Sequence, residues 1–286
     1  MMSNVKFGPA GLGPVKDAVS KLEELHKKGL RACEIAFTYG VYIKEEKDAR
    51  EIGEKAKELG ISLSIHAPYW INLNSEEKEK VEKSKERIIN CLKVGTWLGA
   101  KRVVFHPGYY SKNSLASFNK SQRKDKKEIK ENQEIFDKKK TYDKIKNEIL
   151  KIQKIRKEKN YTPQLAPETT GKINVFGSVE EIAQLVRDTK CSFCIDFAHI
   201  LAREKRYRFK ETLESLGKGK ELHIHFSGIV YGEKGEKHHK KTEKDGWEQL
   251  ISNLPRDKEI TIVCEAPTPS VDAIEGLNIY KSMNNK

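Results

Sequence analysis

Two short apolar runs in this chain end in a histidine followed by a proline: Leu63-Ser-Ile-His66-Ala-Pro68 and Val103-Val-Phe-His106-Pro107. Further apolar runs end at or beside Glu168, Asp196, His225 and Glu265. Mixed imidazole and carboxylate donors suit zinc, and also manganese or iron. Asp196-Phe-Ala-His199 sets a second imidazole one helical turn after a carboxylate, and Glu236-Lys-His238-His239 adds donors on a later loop. Taken singly, each of these residues is an ordinary polar group at a strand end or a salt-bridge partner. Their recurrence at six strand ends is what points to a metal cluster. With His199, Glu236 and His238 the set exceeds the needs of one ion and suffices for three if one carboxylate bridges. No Ser-His-Asp arrangement is visible, and metal ions at this spacing can supply hydroxide at neutral pH.

The elements that must carry these residues alternate. Apolar runs at 5–7, 32–37, 61–66, 103–106, 164–167, 191–195, 222–226 and 260–264 read as short buried strands. Between them, 15–28, 48–59, 75–98, 142–159, 178–187 and 271–283 carry helical periodicity, and Ser178 with Glu181 forms a capping box. Eight strands alternating with helices predict a (β/α)8 TIM barrel, α/β, as a single domain over 1–286. A doubly wound sheet of six strands is the rival, weakened because no G-x-G-x-x-G or P-loop follows the first strand. In a barrel the C-terminal strand ends converge on one face, which would gather the donors. His223 shares a strand face with His225 and reads as a buried residue behind it, whereas His239 and His26 read as solvent-facing. Residues from about 111 to 140 lack apolar periodicity and read as a charged helical insertion.

Composition narrows the partners. The chain has 286 residues, 37% hydrophobic and 34% charged, with a net charge of +13. Residues 119–160 hold 16 basic and 8 acidic side chains, which favours a polyanion if that surface meets the ligand. No run of about 18 apolar residues suggests a membrane span. The five cysteines fit reduced thiols better than a disulfide framework, and Cys191-Ser-Phe-Cys194 reads as core. The expectation is a cytoplasmic monomer.

The motifs HAPYWINL (66–73), FHPG (105–108), PETTGK (167–172), IDFAH (195–199), HIHFSG (223–228), EKHH (236–239) and CEAP (264–267) together resemble the endonuclease IV family over nearly the whole chain. The resemblance implies a zinc-dependent apurinic/apyrimidinic endonuclease on a barrel shared with xylose isomerase. It implies His66 and His106 at a first zinc site, with Glu168 bridging to a second that also takes Asp196, His225 and Glu265. It implies His199 and His238 at a third, with Glu236 where the family usually has Asp. The expected substrate is double-stranded DNA with abasic sites or blocked 3′ ends, cut on the 5′ side of the lesion, with Tyr69 and Trp70 entering the duplex. An Arg the family often places after its second strand is missing; Tyr42 lies near that position. A sugar isomerase or epimerase on the same barrel is the alternative.

Overall fold

The computed structural model describes residues 4–110 and 125–284, the side chains of residues 4 and 125–136 excepted. The expected insertion therefore lies partly outside the described residues. From Asp125 the chain forms a continuous helix, α4 (Asp125–Glu158), whose Ile145, Ile149 and Ile152 are fully buried against the body.

The barrel wall consists of β1 (Asn4–Pro9), β2 (Ala32–Ala36), β3 (Ser62–His66), β4 (Arg102–Phe105), β6 (Gln164–Pro167), β8 (Ile195–Asp196), β9 (Glu221–Phe226) and β12 (Glu259–Cys264). Hydrogen bonding runs β2-β3-β4-β6 and β1-β12-β9-β8, all parallel. Parallel bridges Ala10↔Glu34 and Glu168↔Cys194 join the two halves, so the wall closes. Around it pack α1 (Ala18–Lys27), α2 (Glu46–Glu58), α3 (Lys78–Leu98), α4, α5 (Val179–Thr189), α6 (Phe197–Glu204), α7 (Phe209–Leu216), α8 (Lys244–Ser252) and α9 (Pro269–Asn284). Two antiparallel pairs decorate the mouth: β5 (Gly108–Tyr109) with β7 (Val175–Phe176), and β10 (Gly228–Gly232) with β11 (Gly235–Lys240). The chain is one α/β TIM barrel.

Local sequence explains the main joints. Ser178 Oγ accepts from the Glu181 backbone N–H, and the Glu181 carboxylate accepts from the Ser178 N–H, so the expected capping box starts α5. α3 ends at Gly99, which takes the left-handed conformation (φ 64°) that glycine adopts freely. Phe7 and Phe226 pack on the fully buried Trp247 of α8, with ring centroids 6.0 and 5.0 Å away. Burying rings of this size stabilises the fold by about 1.5–3 kcal/mol each. All five cysteines are buried and free, which agrees with reading Cys191 and Cys194 as core. Among the described residues no helix is long and apolar enough to cross a membrane.

Three expectations about elements change. The sixth strand is shorter than 191–195 and occupies only Ile195–Asp196, because residues 191–193 follow the left-handed Lys190 as loop and Cys194 contributes a lone bridge. The helix read over 142–159 begins earlier, at Asp125. The loop after β9 is the hairpin β10–β11, with Glu236 on it.

Candidate metal centre

The donors gather at the C-terminal mouth of the barrel because six of the eight wall strands carry a donor within one residue of their last position. His66 ends β3, Asp196 ends β8 and His225 lies next to last in β9; His106, Glu168 and Glu265 follow β4, β6 and β12. Glu168 is the hub. Its Oε2 lies 3.2 Å from His66 Nε2 and 3.1 Å from His106 Nε2. Its Oε1 lies 3.2 Å from His199 Nδ1 and 3.3 Å from His225 Nδ1. One fully buried carboxylate thus sits among four imidazoles.

Asp196 has two tasks. Its Oδ1 caps α6 by accepting from the His199 N–H at 2.6 Å, which fixes His199 one turn along. Its Oδ2 faces the cluster. That atom, Glu168 Oε1 and His225 Nδ1 are all buried without a hydrogen-bond partner among the described residues. Buried polar atoms are normally paired, and three unpaired ligand atoms aimed at one space are what a cation would satisfy. The donor atoms of His66, His106 and Glu168 lie within 4.8 Å of one another; so do those of Glu168, Asp196, His225 and Glu265, and those of Asp196, His199, His239 and Glu265. The chemistry and spacing of these groups fit divalent ions.

The electrostatics carry the same message. Burial opposes charge on His66, but the hydrogen-bonded Glu168 outweighs it and raises the imidazole to about 9. Burial likewise opposes charge on His225 and His199, yet surrounding acids hold both well above the ordinary histidine value. Asp196 is pushed up to about 7 by burial, with Glu168 and Glu265 adding to the rise against the pull of His199. Without a bound cation, protons help to neutralise this crowd of carboxylates, and metal binding would release them.

One sequence expectation is reversed. His238 is exposed, while His239 lines the cleft, its Nε2 3.7 Å from Glu265 Oε2 and its Nδ1 2.6 Å from Ser227 Oγ. The cause is a bulge. Val230 pairs with His238, but the next residue, Tyr231, pairs with Glu236, leaving Lys237 as the extra residue. A bulge breaks the two-residue alternation of side chains, so Glu236 shares the inward face with His239, and His238 points away. Glu236 does reach the site, with Oε2 3.5 Å from His199 Nε2. Gly171 permits this: a Cβ there would stand 2.7 Å from Glu236 Cβ and 3.0 Å from His199 Cδ2.

Two residues behind the cluster complete it. His223 is buried behind His225, as expected. Glu34, in the middle of β2, is a fully buried carboxylate facing both histidines of β9, and sequence reasoning missed it. The available signal was an acid inside the otherwise apolar run Ala32-Cys-Glu-Ile-Ala36.

The mouth opens into a cleft of about 300 Å³ bounded by His66, Tyr69, His106, Lys172, Glu236 and Glu265. Tyr69 lines it and, like the adjacent Trp70, is exposed, with Tyr39 5.9 Å from Trp70 between ring centroids. Arg87 donates to the Trp70 carbonyl at 3.0 Å and braces that loop. Tyr42 packs edge-on against Phe37, so Tyr39 and not Tyr42 is the projecting residue after β2. A larger cleft of about 420 Å³ at the opposite end of the barrel is lined by Lys6, Arg50, Lys57, Trp97 and Lys101 among others, with no histidine or cysteine.

Residues 22–283 match the model of a family described as xylose isomerase-like TIM barrel. The chain is 36% identical to an uncharacterized protein of Methanocaldococcus jannaschii, over 97% of each chain. Among solved structures it resembles SacUVDE (TM-score 0.70, 15% identity, 95% of this chain and 88% of that one). It also resembles endonuclease IV from Thermus thermophilus (TM-score 0.65, 20% identity, 99% of both) and a D-tagatose 3-epimerase-like protein (TM-score 0.68, 20% identity, 98% of both). These structural likenesses establish the shared barrel.

Proposed function

The chain belongs to the xylose isomerase-like TIM-barrel family, and we propose that within it this protein is a metal-dependent phosphodiesterase that cuts DNA on the 5′ side of abasic sites and trims blocked 3′ ends. The observation that carries the reading is Glu168, whose two oxygens face two different pairs of imidazoles. A carboxylate so placed suits a centre of more than one ion. Zinc, or manganese or iron, held there would supply hydroxide at neutral pH and offset charge on the phosphate and the leaving oxygen.

The protein's own part is positional. His66, His106 and Glu168 would hold one ion; Glu168, Asp196, His225 and Glu265 a second; His199 and His239, with Glu236 beside them, a third. Lys172 on the cleft wall offers a cation to a phosphate. The exposed rings of Tyr69 and Trp70 are suited to fill the stack that an extruded abasic nucleotide leaves.

A second reading rests on one observation. Glu168, Asp196, His225 and Glu265 form a complete one-ion site by themselves, which would serve a sugar epimerase. It leaves His66, His106, His199 and His239 without a task. Metal content per purified chain, measured beside incision of abasic duplex and turnover of a ketohexose, separates the two. More than one tightly bound ion with incision supports the nuclease; a single ion with sugar turnover and no incision overturns it.

A further inference from the structure

Most site histidines with a far-side contact meet a neutral group there; His199 Nδ1, for one, lies 3.0 Å from the Thr169 carbonyl. His66 Nδ1 meets the Ala67 carbonyl at 2.8 Å, and His239 Nδ1 meets the Ser227 hydroxyl. His225 alone among these has a carboxylate behind it: its Nε2 stands 2.9 Å from Glu34 Oε1, while its Nδ1 faces Glu168 and Glu265 at 3.3 and 3.5 Å. Glu34 Oε1 and His225 Nε2 are both buried without a hydrogen-bond partner among the described residues, so the pair stands within reach of each other but is not aligned as a hydrogen bond. Glu34 is itself held in place. Ser64 Oγ donates to its Oε2 at 2.8 Å, and His223 Nε2 lies 3.2 Å from the same oxygen. Three strands, β2, β3 and β9, therefore converge on one buried anion directly behind one ligand.

We propose that Glu34 is a positioning residue that orients His225, holding its Nε2–H so that the Nδ1 lone pair faces the space between Asp196, Glu168 and Glu265. A carboxylate behind a ligating imidazole fixes its tautomer and ring angle and raises its basicity, and loss of such a partner typically costs about 10–100-fold in metal affinity. The inference rests on the metal reading of the cluster but not on the identity of the substrate. It predicts selectivity: Glu34 touches no residue of the His66/His106 pair in its ion contacts, so only the ion that His225 serves should weaken.

The test is a zinc chloride titration of metal-stripped protein against a chromophoric chelator, comparing wild type with Glu34→Gln. The expected result is one class of site weakened by about 10–100-fold, with the class assigned to His66 and His106 unchanged. That class is identified by its loss in His106→Ala. The 15N spectrum of zinc-loaded wild type should show His225 protonated at Nε2, and Glu34→Gln should broaden or shift that signal. Equal weakening of every class would mean a structural defect, and a titration that superimposes on wild type would also overturn the proposal. If Glu34→Gln fails to fold, Ser64→Ala removes only the hydroxyl that steadies Glu34 and should show the same selectivity at smaller size; uniform or absent effects there overturn it equally. A wild-type chain that binds no zinc would sink the metal reading itself, an outcome distinct from normal wild-type binding with an indifferent Glu34→Gln.

Discussion

The bulge in β11 makes a prediction that separates two adjacent histidines. His239→Ala removes an imidazole whose Nε2 lies 3.7 Å from Glu265 Oε2 and whose donor atom falls within 4.8 Å of those of Asp196, His199 and Glu265. Losing a partner behind a ligand costs about 10–100-fold in affinity, so losing the ligand should cost more than about 10²-fold, or about 2.7 kcal/mol. His238→Ala removes a side chain exposed on the other face of the hairpin, and surface changes of that kind stay within about 0.5 kcal/mol. The assay is zinc content by mass spectrometry with competition against a chelator, beside thermal unfolding of each variant. His239→Ala should lose one ion with the fold intact; His238→Ala should match wild type. The reverse order would refute the bulge argument and restore the plain alternation in which Glu236 and His238 share a face.

Other outcomes follow from the same geometry. Gly171→Ala should push Glu236 and His199 aside, and a displacement near 1 Å costs about 10²-fold in rate; unchanged kcat would show that Glu236 is dispensable. Replacing Tyr69 and Trp70 with Ala should reduce incision of abasic duplex far more than trimming of a frayed 3′ end, which is already unstacked; equal losses would mark the loop as structural. In metal-free protein the His66–Glu168 pair stabilises the fold fully below the ordinary value of 6.5, and that contribution is lost as pH rises through about 9. Zinc must expel the His66 proton, so calorimetry in buffers of different ionisation enthalpy should detect proton release at neutral pH that fades above about 9. Binding without proton release at neutral pH would contradict the assigned pairing.

Much of this was legible in the residues. The strand-end donors His66, His106, Glu168, Asp196, His225 and Glu265 lie at one mouth because parallel strands in a closed barrel all point their C-termini the same way. Asp196 and His199 were legible because a carboxylate at a helix start caps the turn that carries a residue three positions on. The misses have physical causes. His239 was hidden because a bulge depends on pairing with β10, and neither strand's sequence records which residue is left over. Glu34 was hidden because its partners, His223 and His225, lie far along the chain and meet it only when β9 and β2 face each other across the closed barrel. The shortened β8 escaped because Cys191-Ser-Phe-Cys194 is apolar enough for a strand yet pairs with Glu168 only at Cys194.

The most direct test of the central claim is incision of a duplex carrying one abasic site by zinc-loaded wild type and Glu168→Gln, with the product ends identified. The substitution keeps the shape of the hub and removes the charge that faces His66 and His106 on one side and His199 and His225 on the other. The account predicts a 3′-hydroxyl product from wild type and no incision above background from a folded Glu168→Gln. Near-normal incision by Glu168→Gln with its full metal content would contradict it.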